Sequence, residues 1–133
     1  MIVADTNLIV YLYITGDQST LAQKVLEKDP YWITPPLWQS EFRNVLAGYM
    51  RRGMTLKQAQ QTMKDALAVM ENRQVEPSSE KILELLANSK CTAYDCEFIT
   101  LAYQIGIPLI TADKQLLDQF PDVVAISLER FVE

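Results

Sequence analysis

The sequence predicts an α/β fold in which helices cover both faces of a parallel β-sheet. Short, continuously apolar segments alternate with longer amphipathic segments along the 133 residues, and this alternation is typical of a parallel sheet built from strand–helix units. The apolar segments end at polar residues or turns, as buried strands do. We expect a single domain spanning residues 1–133, since the chain has the length of one domain and contains no linker, internal repeat or low-complexity segment.

The strands are predicted from four apolar segments, to which a weaker fifth is added. Residues 1–4 are apolar and stop at the polar triplet 5–7, which is typical of a buried parallel strand. Residues 31–34 are rich in aromatic and β-branched side chains and follow Pro30. The predicted strands are residues 1–4, 31–34, 107–111 and 123–126, with a short additional one at Val75.

Helices are predicted where apolar residues recur with helical spacing between capping residues and glycines. Thr6 or Asn7 is expected to cap the first helix, and Thr55 the fourth, because hydroxyl and amide side chains satisfy free N–H groups there. Gly106 is expected to end the sixth helix, since glycine commonly follows the last helical residue. The predicted helices are residues 8–14, 19–28, 37–52, 56–72, 79–89 and 94–105, followed by a short one through residues 116–117.

The composition excludes several classes of protein. There is no histidine, which rules out Ser-His-Asp and Cys-His catalysis and imidazole zinc sites. Acidic residues outnumber basic ones by 17 to 12, and the net charge of −5 argues against binding nucleic acid by bulk charge alone. Cys91 and Cys96 are expected to pack against a helical core rather than form a redox pair. With no basic leader and no apolar run that could cross a bilayer, we expect a soluble, cytoplasmic protein without a membrane partner.

Four acidic residues occupy positions where this fold class forms a ligand site. Asp5 and Asp113 end predicted strands, at the carboxyl edge of the sheet where open α/β proteins bind ligands. Asp95 lies in the first turn of a helix, and Glu41 lies on the third predicted helix, so both can reach the same edge. Purely structural interpretations remain open. Asp5 and Asp113 would also suit helix caps, Asp95 a complement to the helix dipole, and Glu41 an exposed helix surface.

The convergence of these acids predicts a site for hard divalent cations. Carboxylates that are brought together repel one another, and divalent cations that prefer oxygen ligands relieve this cost. Such a site suits phosphodiester hydrolysis, in which two metal ions activate a water and stabilise the leaving oxygen. Asn7 and Thr111 each lie two residues from an acid and are expected to orient a carboxylate or a metal-bound water; a turn or cap role is the alternative for both.

Four segments that contain these acids resemble motifs of the PIN-domain family of metal-dependent ribonucleases. They are IVADTN at residues 2–7, SEFRNVL at 40–46, AYDCEF at 93–98 and LITAD at 109–113. Each motif is weak alone, but their order and spacing fit the chain from residue 1 to about 130. The compact size is most similar to the VapC-like toxins of prokaryotic toxin–antitoxin pairs.

The resemblance implies a three-layer α/β/α sandwich around a central parallel sheet of about five strands. It also implies an endoribonuclease that depends on Mg²⁺ or Mn²⁺, with RNA as substrate. Asp5, Glu41, Asp95 and Asp113 match the family's catalytic, metal-binding acids, and Asn7 and Thr111 match positions that usually hold small polar residues. Similar toxins commonly form homodimers and are silenced by a small antitoxin that inserts into the active-site groove.

Basic and aromatic residues supply candidate RNA contacts. The basic candidates for phosphate binding cluster around the end of one helix and the start of the next: Arg43, Arg51, Arg52 and Lys57. A solvated helix end is the alternative, favoured for Arg51 and Arg52. Tyr11, Tyr13, Tyr31 and Trp38 are aromatic enough to stack on bases, but core or dimer packing is favoured. Glu97 is expected to point away from Asp95 and to be solvated or paired with a cation.

Other functions remain to be weighed against a nuclease toxin. A PIN-fold binding module would bind a partner without cleaving RNA, and a solitary RNA-processing nuclease would lack an antitoxin. A phosphotransfer enzyme with Asp5 as nucleophile is disfavoured, because no second acid follows two residues later and no glycine-rich phosphate loop is present.

Overall fold

The structure is a computed structural model that describes residues 1–120 and 124–133. Its four strands are β1 (Ile2–Ala4), β2 (Trp32–Ile33), β3 (Leu109–Ile110) and β4 (Ala125–Ile126). The α-helices of the described residues are α1 (Thr6–Tyr13), α2 (Ser19–Lys28), α3 (Trp38–Arg51), α4 (Leu56–Met70), α5 (Ser79–Ala87), α6 (Ala93–Ile105), α7 (Lys114–Gln119) and α8 (Leu128–Val132). A short 3-10 helix, Glu71–Arg73, follows α4.

The four strands form one parallel sheet in the order β2-β1-β3-β4. Strand β2 lies on one side of β1, and β3 and β4 lie on the other. The order of the strands therefore reverses between β1 and β3. The carboxyl ends of these two strands therefore border a crevice, the usual place for a ligand in an open α/β sheet. This topology confirms the predicted fold class.

The expected number of about five strands is wrong for the described residues, which form four. Val75 does not continue a strand: the only pairing there is a single parallel bridge between Thr34 and Gln74. The backbone N–H of Val75 donates to the carbonyl of Thr34, which covers the outer edge of β2 without extending the sheet. Val123, which the sequence assigned to the last strand, lies outside the described residues.

Two apolar clusters lie on opposite faces of the sheet. Successive side chains of a strand point to opposite faces, and accordingly Ile2 and Ala4 belong to one cluster whereas Val3 belongs to the other. The first cluster includes buried residues of α1 to α4, and the second includes those of α6 and α7. The sheet is therefore the middle layer of an α/β/α sandwich.

The helix boundaries differ from the prediction mainly at their caps. Asp5, not Thr6 or Asn7, caps α1, because its carboxylate accepts a hydrogen bond from the Thr6 N–H. Thr55 caps α4 as predicted, and α6 ends at Gly106, whose φ of 78° is in the left-handed region that favours glycine. Helix α8 was not among the helices predicted from the sequence.

Both cysteines are free thiols near the start of α6. Cys96 is buried, and burial is also the main reason why the pKa of the Cys91 thiol rises to about 11. A raised pKa keeps a thiol protonated and unreactive at neutral pH, which agrees with a packing role. None of the helices in residues 1–120 and 124–133 combines the length and hydrophobicity that crossing a bilayer requires.

Candidate active site

The four acids selected from the sequence line one cleft of about 380 Å³ at the carboxyl edge of the sheet. Asp5 follows β1, Asp113 comes after β3, Glu41 lies in the first turn of α3 and Asp95 in the first turn of α6. The other lining residues are Thr6, Asn7, Leu37, Ser40, Asn44, Val45 and Tyr94. Segments more than 100 residues apart in the chain thus meet at the crevice between β1 and β3.

Asp5 is the most deeply buried acid of the cleft. Its side chain is 9% exposed, and it accepts hydrogen bonds from the Thr6 N–H (2.8 Å) and from the Thr111 hydroxyl. Burial raises its pKa from the ordinary value of 3.8 to about 6, assisted by repulsion from Glu41 and Asp113, while the two hydrogen bonds oppose the rise. Asp5 is therefore both a helix cap and a carboxyl group held where negative charge is unfavourable.

Glu41 is connected to Asp5 through Thr6. The Thr6 hydroxyl donates to Oε1 of Glu41 at 2.6 Å, and the backbone N–H of the same residue donates to Asp5. Partial burial raises the pKa of Glu41, and repulsion from Asp95 adds to the rise. Thr6 orients two acids at once, whereas only a capping role was expected for it from the sequence. Its position directly after the acid that ends β1 was the available signal.

Asp95 and Asp113 are held by the N-terminal turns of two helices. Thr92 caps α6 by accepting from the Asp95 N–H at 3.1 Å, and this bond fixes the backbone from which the carboxylate projects. Asp113 caps α7 by accepting from the backbone N–H groups of Gln115 and Leu116. Burial raises the pKa of Asp95, and repulsion from Asp113 raises it further. The predicted cap role of Asp113 thus coexists with its place in the cleft.

Thr111 and Asn7 differ in what they contact. Thr111 is fully buried; its hydroxyl donates to Asp5 and accepts from the Asp113 N–H at 3.0 Å, so it bridges two acids. Asn7 lines the cleft with an exposed side chain, which makes no hydrogen bond to a carboxylate in the described part of the chain.

The donor set of the cleft fits a hard divalent cation. All four acids offer carboxylate oxygens, and burial, with a smaller contribution from mutual repulsion, raises the pKa of Asp5, Glu41 and Asp95. Over the described ranges, no group of three acids is close enough to form a ready-made cage for one ion. Mg²⁺ does not need such a cage, because it usually keeps several waters and takes only one or two carboxylates.

None of the predicted RNA-binding cations lines the cleft. Arg43 lies beside it, since its guanidinium donates to the hydroxyl of Ser40, a lining residue, at 3.2 Å. Arg52 instead donates to the Gly48 carbonyl and lies over the ring of Tyr49. Arg51 and Lys57 are exposed at the end of α3 and the start of α4.

Three of the four aromatic candidates pack against the core as expected, Tyr31 does not, and a different tyrosine lies at the cleft. Trp38 is fully buried, Tyr11 and Tyr13 pack against the first core cluster, and Tyr31 lies beneath the Arg73 guanidinium. Tyr94, which the sequence analysis did not consider, lines the cleft and is 63% exposed.

Glu97 is half-buried at the start of α6. Of the two predicted alternatives, pairing with a cation is not found within the described residues, which leaves partial solvation. Partial burial raises the pKa of Glu97, and repulsion from Glu76 and Glu41 contributes.

Replacing Thr6 with valine is expected to weaken divalent-cation binding by about 10- to 100-fold, the usual cost of removing a partner that orients a ligand. The substitution removes the hydroxyl that holds Glu41 but keeps the backbone N–H that binds Asp5. Titration calorimetry with Mn²⁺ measures the change. Thr6→Ser is the matched control and should retain near-normal affinity; equal affinities for the valine variant and the original protein would contradict the role of Thr6.

Comparisons with known proteins agree with this architecture. A PIN domain family model matches residues 2–122. The chain is 27% identical over 127 residues to Ribonuclease VapC3 from Pyrobaculum aerophilum, with 92% of this chain and 97% of that protein aligned.

Two solved structures share the fold. The crystal structure of PAE2754 from Pyrobaculum aerophilum matches with a TM-score of 0.76 and 20% identity, covering 98% of this chain and 92% of that one. A toxin–antitoxin complex from Klebsiella pneumoniae contains a chain that matches with a TM-score of 0.71 and 20% identity, covering 96% of this chain and 98% of that one. Both matches show that this chain shares its fold with those proteins.

Proposed function

The chain belongs to the PIN domain family, and from this membership we propose that it is a metal-dependent endoribonuclease that hydrolyses RNA phosphodiester bonds. The observation that carries the proposal is the meeting of Asp5, Glu41, Asp95 and Asp113 in one cleft at the point where the strand order reverses. The similarity to a protein named Ribonuclease VapC3 supports RNA as the substrate.

The roles of the side chains follow from their environments. Asp5 and Asp95 are the proposed main ligands of Mg²⁺ or Mn²⁺, and Glu41 and Asp113 complete the acidic set. Divalent ions bound there would supply an activated water and stabilise the leaving oxygen. Thr6 holds Glu41 and Thr111 holds Asp5, so both carboxylates are oriented before any ligand arrives. Because the pKa of Asp5 is raised to about 6, cation binding below that pH must release a proton.

The proposed biological role is that of the toxin in a toxin–antitoxin pair. The structural likeness to a chain of the Klebsiella pneumoniae toxin–antitoxin complex supports it, as does the VapC3 relative. We propose that the protein acts in the cytoplasm as a homodimer and is silenced by a small antitoxin. A neighbouring reading frame for a small DNA-binding protein would support this role, whereas its absence would favour a solitary RNA-processing nuclease. Sedimentation of the purified protein, alone and with that partner, tests both associations.

Metal-dependent RNA cleavage tests the proposed activity. The purified protein is expected to cleave single-stranded RNA with Mg²⁺ or Mn²⁺, to stop with EDTA, and to lose activity when Asp95 becomes asparagine. Asp118→Asn is the matched control, because Asp118 is exposed on α7 and does not line the cleft. Full activity of Asp95→Asn would reject the proposed site. A protein that never cleaves RNA yet binds a partner tightly would instead be a PIN-fold binding module.

A further inference from the structure

Tyr94 is an aromatic side chain left exposed on the wall of the acidic cleft. It lies in the first turn of α6, directly before Asp95, and 63% of it is exposed. Among the described residues it makes no side-chain hydrogen bond and no aromatic or cation–π contact. The packing of the domain therefore does not account for a tyrosine at this position.

The charges of the cleft favour an uncharged contact for RNA binding. Four carboxylates line it, and no lysine or arginine is among the lining residues. With a net charge of −5 the protein also attracts phosphates poorly as a whole. Stacking of a base on an aromatic ring does not depend on attraction between opposite charges and operates with every base, since each has a π-face.

The other lining groups suit a nucleotide as well. Leu37 and Val45 add apolar surface from α3, and the exposed amide side chains of Asn7 and Asn44 make no hydrogen bond within the described residues. An apolar surface with a few free polar groups is the usual composition of a ligand site. Amide groups can both donate to and accept from a base edge or a ribose hydroxyl.

We propose that Tyr94 is a stacking platform for an unpaired RNA base next to the scissile phosphodiester, so that the cleft selects single-stranded RNA. The proposal rests on the endoribonuclease function proposed above. Because Tyr94 lines the same cleft as the four acids, a base on its ring lies beside the acids rather than at a distant site. Bases within a duplex are already stacked on their neighbours and cannot be accommodated on the ring.

The test compares RNA binding by the original protein, Tyr94→Phe and Tyr94→Leu. The probes are fluorescently labelled single strands of about 12 nucleotides, made of adenosine, of uridine, or of the sugar–phosphate backbone without bases. Ca²⁺ replaces Mg²⁺, because it also binds carboxylate oxygens, and recovery of intact probe confirms that nothing was cleaved. Tyr103→Leu is the matched control, since Tyr103 is 56% exposed on the same helix but outside the acidic cleft.

Tyr94→Leu is expected to weaken binding of the adenosine and uridine strands by about 5- to 150-fold, the range for losing one stacked base. Tyr94→Phe and Tyr103→Leu should stay within about twofold, and binding of the strand without bases should be unaffected by any of the three substitutions. Equal affinities of Tyr94→Leu and the original protein for the base-carrying strands would overturn the proposal, as would an equal loss for the strand without bases.

The two proposals can fail separately. If the original protein cleaves RNA with Mg²⁺ or Mn²⁺ but Tyr94→Leu binds the strands normally, only the stacking role is overturned. If the original protein neither cleaves nor binds any strand, both are overturned. Preference for a duplex over a single strand of the same sequence would also contradict the stacking role, whatever the cleavage activity.

Discussion

Replacing Asp5 with asparagine is expected to lower RNA cleavage by about 10³-fold or more and, at the same time, to make the metal-free protein more stable near neutral pH. The activity falls because a proposed metal ligand is lost, and several kcal/mol of charge stabilisation correspond to about this factor. The stability rises because an uncharged amide replaces a carboxylate that is 9% exposed and repelled by two other acids. The amide oxygen can still accept from the Thr6 N–H.

Single-turnover cleavage and urea unfolding in EDTA measure the two effects on the same preparation. Asp118→Asn removes one negative charge from the surface of α7 and should change neither quantity appreciably. A variant that loses both activity and stability would indicate that Asp5 acts mainly as the cap of α1. Retained activity would remove Asp5 from the proposed set of ligands.

The metal-free protein is expected to lose stability as the pH rises from about 4 to about 6. Asp5 has a pKa of about 6 in the folded chain and 3.8 as its ordinary value, so between these values the folded state binds more protons than the unfolded state. Stability then falls with increasing pH. Once Asp5 is ionised in both the folded and the unfolded state, this group has lowered the free energy of unfolding by about 3 kcal/mol. The raised pKa values of Glu41 and Asp95 act in the same direction.

Urea unfolding at several pH values, in EDTA and in excess Mg²⁺, measures this dependence. Asp5→Asn should flatten the EDTA curve, and Mg²⁺ should recover much of the lost stability near pH 7 because it binds only the folded cleft. Stability that rises between pH 4 and 6 in EDTA would contradict the burial of an ionisable Asp5. A curve that Mg²⁺ leaves unchanged would contradict cation binding at the cleft.

The position of the candidate site was predictable because it depends on strand ends. Asp5 ends an apolar strand and Asp113 follows another, and parallel strands bring their carboxyl ends to one edge of the sheet whatever the intervening sequence. Helix α2 was also predicted with the bounds that the structure gives it. Its apolar spacing and the residues that flank it indicate the same start and end.

Contacts between side chains distant in sequence were not predictable from local pattern. Thr6 binds Glu41 across 35 positions, and nothing in the neighbourhood of either residue specifies the partner. Tyr94 was overlooked because its place on the cleft wall depends on tertiary packing, which the local sequence does not show. The prediction of a fifth strand was wrong for a related reason. Val75 is a β-branched residue of the kind found in strands, but in the described residues only one bridge forms beside β2.

Thr111 limits how the acids of the cleft can be redesigned, because it forms hydrogen bonds with two of them. Its hydroxyl donates its one hydrogen to Asp5, and the hydroxyl oxygen accepts a hydrogen bond from the backbone N–H of Asp113. Asp5 and Asp113 are therefore connected through one side chain. A substitution that moves either acid is expected to shift the other as well. Redesign for a larger ion would have to move the pair together, starting from this threonine.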